Sequence, residues 1–148
     1  MYVIRYMYFR EVAMVSLDDR YANRGPMGGP GMTIEIDEAK IGRRKYNVGR
    51  MVEGQWILGF IKRETGDQRI EILPNNNRSA QATLPLIQRH VLPGSTIITD
   101  EWRAYTGLGN LGYTHLTVNH TYNFVNPVNQ AHTQNIESSW RHLKKKFL

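Results

Sequence analysis

The stretch Met32-Thr33-Ile34-Glu35-Ile36-Asp37 decides how the rest of the chain is read. Its apolar residues fall on even positions and Thr33, Glu35 and Asp37 on odd ones, the period of two of a half-buried strand. Asp37 therefore points away from the Ile34/Ile36 face, at the end of that strand. Downstream, Gly42-Arg43-Arg44-Lys45 reads as a basic turn. Tyr46 to Val52 and Gln55 to Lys62 read as two strands split by Glu53-Gly54, and Arg69 to Leu73 as another after Thr65-Gly66-Asp67. Together they form an antiparallel meander, closed by Pro74 and Asn75-Asn76-Asn77.

Further on, the period changes to that of a helix. Ser79 is placed to cap a helix to about Val91, with Leu84, Ile87 and Val91 on one face and Pro93-Gly94 as its stop. Pro85 is expected to bend or shorten its first turns. Ser95 to Thr99 reads as a short buried strand ending at Asp100, Trp102 to Tyr105 as the start of a helix, and Tyr113 to Val118 as a last strand. Asn119 to Gln130 reads as a loop. A final helix from about Thr133 carries Ile136, Trp140, Leu143 and Phe147 at i, i+4, i+7 and i+11. Strands, helix, strand, helix, strand, helix is an α/β order.

Upstream, Asp18 to Gly31 turns to Gly, Pro, Asn and charged residues and reads as a linker. Its glycines are not a phosphate-binding loop, because no Gly-Lys-Ser/Thr feeds a helix. Met1 to Leu17 is rich in aromatic and aliphatic residues, but Arg5, Arg10 and Glu11 interrupt it, so it is read as a packing segment and not a membrane anchor or signal. The expected organisation is an extension and linker over residues 1–27 and one domain over 28–148. A chain of 148 residues suits one core. Nineteen basic against thirteen acidic residues leave +6 and make an anion, nucleic acid first, the expected partner. No cysteine occurs, which excludes disulfides, thiolate zinc and a cysteine nucleophile and fits a reducing intracellular compartment. The sequons Asn77-Arg78-Ser79 and Asn119-His120-Thr121 lack a secretory context.

Three acids hold telling positions: Asp37 and Asp100 at strand ends and Glu137 in the first turns of the last helix. Carboxyl ends of strands are where ligands collect in open α/β sheets, and a helix can close such a site with a third acid. A carboxylate trio suits hard divalent cations such as Mg²⁺ or Mn²⁺. Two such ions activate an attacking hydroxyl and stabilise the leaving oxygen of a phosphoryl displacement. Solvated turns and helix caps are the alternative reading of each acid.

The motifs Thr33-Ile34-Glu35-Ile36-Asp37-Glu38, Lys40-Ile41-Gly42-Arg43-Arg44-Lys45, Thr99-Asp100-Glu101-Trp102-Arg103-Ala104-Tyr105, Leu116-Thr117-Val118-Asn119-His120 and His132-Thr133-Gln134-Asn135-Ile136-Glu137-Ser138-Ser139-Trp140-Arg141 resemble the catalytic domain of ISXO-type insertion-sequence transposases and the eukaryotic Merlin transposons. The resemblance implies a ribonuclease-H-like fold, a mixed central sheet flanked by helices. It also implies a DDE transposase in which Asp37, Asp100 and Glu137 hold two Mg²⁺ or Mn²⁺ ions. The acids are 63 and 37 positions apart, and the second interval is similar to that of retroviral integrases. Some bacterial relatives carry asparagine in place of the last acid. Asn135 is the competing residue here, but it lies about 200° around the helix from Glu137. Glu137 is preferred because a carboxylate holds a divalent cation better than an amide.

The implied partners are DNA, as transposon ends and target, and further copies of the chain; the implied location is the cytoplasm of a bacterium or the nucleus of a eukaryote. Arg141 and Lys144 share the helix face of Glu137 and would continue along a DNA backbone. Arg43, Arg44 and Lys45 form a second basic cluster. His115, His120 and His132 make a poor zinc site; His120 and His132 read equally as phosphate contacts or as hydrogen-bonded loop residues. Trp102 and Trp140 read as core anchors in preference to base-stacking groups. Full family members usually add an N-terminal zinc-binding or helix-turn-helix region, which the residues before Gly28 do not resemble. The rival readings are a transposase-derived DNA-binding module that no longer cuts, and a nuclease of the same fold that does not join strands.

Overall fold

In the computed structural model, which describes residues 24–41, 54–120 and 125–147, a two-residue strand β1 (Met27–Gly28) precedes the long strand β2 (Thr33–Ile41). The Met1 to Leu17 segment, the basic turn Arg43-Arg44-Lys45 and the expected strand Tyr46 to Val52 lie outside the described residues. The meander continues with β3 (Gln55–Lys62) and β4 (Gln68–Ile72). Helix α1 (Ala80–His90) leads into β5 (Val91–Leu92) and β6 (Thr96–Asp100), then β7 (Thr114–Val118) and α2 (Gln134–Phe147).

Five strands form one mixed sheet in the order β4-β3-β2-β6-β7. β2, β3 and β4 are antiparallel neighbours, whereas β6 runs parallel to β2 and β7 parallel to β6. The α/β expectation with a mixed central sheet flanked by helices holds. Ile34, Ile36, Leu58, Phe60 and Ile97 point to the α1 side and pack with Ile87, Tyr105 and Leu108. Ala39, Ile57 and Ile61 point to the other side, under Ile136 and Trp140 of α2.

Four local readings change. β2 runs on to Ile41, so Asp37 lies inside the strand and not at its end. The apolar positions of β2 switch faces, from Ile34 and Ile36 to Ala39 and Ile41, because α1 covers one half of the strand and α2 the other; a search for one period stops at the switch. The odd-numbered row is not a solvent face either, since Glu35 is wholly buried. The helix expected from Trp102 is two 3-10 turns, Arg103–Tyr105 and Leu108–Leu111. Gly107, Gly109 and Gly112 crowd this stretch, and each disfavours an α-helix by about 1 kcal/mol relative to alanine.

The glycine-rich linker is anchored at its end. Met27 is buried and β1 pairs in parallel with β5. A Cβ at Gly28 would collide with Ser95 Oγ, and that hydroxyl also accepts the Gly29 N–H at 2.7 Å. Glycine here permits close approach and not slack. Pro85 sits in α1 on an exposed position, where the bond it cannot donate is lost next to water.

Candidate active site

Thr33 pairs with Thr96 and Glu35 with Ile98, an offset of 63 residues. Asp37 and Asp100 are separated by the same offset, so they stand in register just past the last paired positions and project to the same face. That face is the one α2 covers. Asp100 ends its strand and Asp37 lies within β2 beside it, just past the point where the parallel pairing of the two strands stops.

Asp37 is held from above. Trp140 of α2 donates its indole N–H to Asp37 Oδ2 at 3.0 Å. Its ring lies over Gly59, the residue paired with Asp37 on β3, where a Cβ would collide with the indole. Burial, then the negative charges of Glu38 and Asp100, push the Asp37 carboxyl up to about 7, against the pull of the Trp140 hydrogen bond. Among the described residues no cation offsets this crowding at Asp37. The missing positive charge and the all-oxygen donors fit a hard divalent ion.

Glu38 points to the opposite side of the strand. It accepts a hydrogen bond from the Tyr105 hydroxyl and lies 3.6 Å from Arg78. Burial raises its pKa, opposed chiefly by the Tyr105 bond. Tyr105 is fully buried; burial first, then the charge of Glu38, holds its phenol well above the ordinary value, so it remains the donor. At the end of β6, Asp100 Oδ1 accepts the backbone N–H of Trp102 at 3.0 Å.

The position of α2 is set by a second carboxylate on β2. Glu35 accepts from the backbone N–H groups of Asn135 (3.0 Å) and Ile136 (3.3 Å), from Asn135 Nδ2 (2.6 Å) and from Arg63 Nε (3.2 Å). It thus caps the helix from a neighbouring strand, satisfying donors the first turn leaves open and facing the positive end of the helix dipole. Arg63 also reaches the carbonyl of His132, tying down the approach to the helix.

The two flanks of α2 then face different strands. Ser139 accepts a hydrogen bond from Gln68 of β4 and donates to the carbonyl of Asn135, so Asn135 and Ser139 lie on the β4 flank. Glu137 lies on the flank toward β7, where its Oε1 accepts from Thr133 Oγ1 (2.9 Å) and is 3.3 Å from Nε2 of His120, just beyond that strand. Asn135 is engaged with Glu35, while Glu137 is on the Asp100 side of the helix. Among the described residues no three His, Cys, Asp or Glu side chains stand close enough to hold one metal ion. Asp37 and Asp100 are brought together; Glu137 approaches from α2 but is bonded to Thr133, whose hydroxyl is also in contact with His120 Nε2 at 3.0 Å.

Arg141 and Lys144 are exposed on α2. His115 sits on β7 beside Thr99 at 2.8 Å, in register with Ile97 and hence on the opposite face from Asp100; burial lowers its pKa. The Nδ1 of His132 is buried without a hydrogen-bond partner among the described residues. Trp140 is the core anchor expected of it, but Trp102 is 40% exposed, a correction. Its indole is carried outward by the turn after β6 and is stacked only on Arg78 among the described residues. Glu35, Glu38, Arg78 and Tyr105 went unremarked as site residues in the sequence. Glu35 and Glu38, inside the Asp37 motif, and Tyr105, inside the Asp100 motif, carried a signal, whereas Arg78 carried none.

The model of the ISXO2-like transposase domain matches residues 15–148. Among solved structures, the catalytic core domain of BIV integrase is similar at 20% identity, over 76% of this chain and 66% of that one, with a TM-score of 0.47. The HTLV-2 integrase catalytic core domain, solved in complex with magnesium in a trimeric form, is similar at 15% identity, over 82% of this chain and 71% of that one, with a TM-score of 0.48. The chain thus spans about two thirds of the length of these cores. No curated protein sequence matches the chain. No helix among the described residues is long and apolar enough to cross a membrane.

Proposed function

The chain belongs to the ISXO2-like transposase domain family, and from that premise we propose that it is a ribonuclease-H-like DDE catalytic domain that cuts and joins DNA strands. The observation that carries the reading is the in-register pair Asp37 and Asp100, crowded with negative charge on the face under α2. Glu137, bonded to Thr133 and 3.3 Å from His120, would complete the set from the helix. Asp37, Asp100 and Glu137 would hold two Mg²⁺ or Mn²⁺ ions. Bound there, the ions supply activation of an attacking hydroxyl and stabilisation of the departing oxygen.

The chain's own residues orient and neutralise. Trp140 fixes the Asp37 carboxylate through one N–H, and Glu35 fixes the helix that delivers Glu137. Thr133, itself in contact with His120, holds the Glu137 carboxylate in place on the helix. Arg141 and Lys144 lie one and two turns beyond Glu137 and meet the phosphate backbone, with Arg43, Arg44 and Lys45 as a second basic patch. In the first reaction water attacks a phosphodiester at the transposon end, and the P–O bond to the departing strand breaks to leave a 3′-hydroxyl. That hydroxyl then attacks a target phosphodiester, so one bond forms for each one broken. Two copies of the chain on paired ends would carry out the joining.

Calorimetry with Mn²⁺ on the intact chain and on Asp37→Asn/Asp100→Asn tests the assignment, together with cleavage of a DNA substrate. Binding and metal-dependent cleavage should both be lost in the variant. The cleavage loss should reach about a thousandfold or more, as removal of several kcal/mol of transition-state stabilisation requires. Equal cleavage by both proteins would sink the reading. The rival, a DNA-binding module without chemistry, draws on the contacts of Glu137 with Thr133 and His120. It requires salt-sensitive DNA affinity that Mn²⁺ does not alter.

A further inference from the structure

Behind the acidic pair, on the Glu38 side of the sheet, lies a stack with no part in holding a cation. The guanidinium carbon of Arg78 is 3.9 Å from the ring centroid of Trp56 and 4.5 Å from that of Trp102. Arg78 is thus sandwiched between two indoles, and its Nη1 reaches Glu38, the neighbour of Asp37, at 3.6 Å.

Trp102 itself is fastened at three points. Its backbone N–H is bonded to Asp100, its indole N–H donates to the carbonyl of Arg78 at 3.4 Å, and its ring lies against the guanidinium. A side chain so restrained has lost its rotamer freedom already. Yet it is 40% exposed, and only Leu92 and Val128 share such exposure among the large apolar residues described. No other ring, cation or hydrogen-bond partner covers Trp102 among the described residues. A rigid indole, backed by a cation and open on its outer side, is the platform on which a planar aromatic ligand stacks with little ordering cost.

The ligand class follows from the neighbours. The backbone N–H of Trp102 is bonded to the Asp100 carboxylate, so the platform stands at the same strand end as that acid. Resting on the reading of the site as one that acts on DNA phosphodiesters, we propose that Trp102, backed by Arg78, stacks an unpaired nucleobase next to the phosphate being cut. A base paired inside a duplex has both faces covered by its stacked neighbours and offers none to the indole, so the platform selects a frayed or extruded nucleotide at the cut.

The test compares the full chain with Trp102→Ala, Trp102→Leu and Trp102→Phe on two short duplexes. One carries an unpaired 2-aminopurine at its end; the other is fully paired. In the parent protein the fluorescence of the unpaired 2-aminopurine should be quenched on binding. Trp102→Ala and Trp102→Leu should weaken binding of the unpaired substrate by roughly tenfold, with a paired duplex changing less than twofold, and Trp102→Phe should restore most of the loss. Trp102→Leu keeps Arg78 covered should Trp102→Ala fail to fold. Absence of quenching in the parent, or equal losses on both duplexes, overturns the proposal and leaves Trp102 as a cover for Arg78. Quenching without metal-dependent cleavage leaves the stacking site standing and sinks the catalytic reading. Cleavage without quenching does the reverse.

Discussion

Glu35 and Asp37 stand two residues apart on one face of one strand, under the same helix, and the chain treats them in opposite ways. Glu35 is sealed from water and receives four donors, two of them the open N–H groups of a helix terminus. Asp37 receives the indole N–H of Trp140 and faces two other acids. Burial alone therefore does not mark a working carboxylate. A buried acid whose lone pairs are all answered is part of the scaffold, whereas one left short of positive charge is a place for a ligand to supply it.

The contrast breaks most visibly at Glu35. Glu35→Ala strands Arg63 and uncaps α2, and should cost about 3–5 kcal/mol in urea unfolding, the range for removing one partner of a buried charged pair. An unchanged midpoint would mean the four bonds add nothing.

Asp37 should behave in the reverse sense. Its folded-state pKa of about 7 lies above the unfolded value, so its contribution to stability is complete below pH 4 and is lost as pH rises through 7. Without metal, Asp37→Asn should therefore be more stable than the parent at pH 8, by something on the order of 2 kcal/mol, with the gap closing below pH 4. Mn²⁺ affinity of the parent should rise with pH up to about 7 and then level off. A pH-independent gap would place the acid in ordinary solvent.

The finest test concerns the side-chain donor to Asp37. Trp140→Phe keeps the ring over Gly59 but removes the N–H, a loss of about 1 kcal/mol. The Asp37 carboxyl resonance should then titrate at a higher pH than in the parent. A titration that does not move would show that the indole only fills space.

Much of this architecture could be read from the residues in order. The strands β3, β6 and β7 and both helices follow patterns set by burial on one or two faces, and those patterns are local. The change of covered face within β2 is not local, and neither is the burial of Glu35, which depends on a helix 100 residues away. The β1 and β5 pair is too short to leave a period. Asp37 and Asp100 were readable because each follows a regular apolar strand pattern, although β2 runs on past Asp37. The Arg78 stack was not, because its members come from β3, the turn before α1 and the turn after β6, and meet only in the fold.

The common offset of the β2 and β6 pairing and of the two acids has a consequence for how such a chain tolerates change. What keeps the carboxylates together is ladder register, not the length of chain that separates them. Residues added or removed in the turns of the meander would alter the interval on paper and leave the two acids side by side. A single deletion between Thr33 and Asp37 would leave the interval unchanged on paper and turn one carboxylate to the far side of the sheet. Distances counted along such a chain are thus free to drift over evolutionary time, while the phase of the short parallel ladder is not.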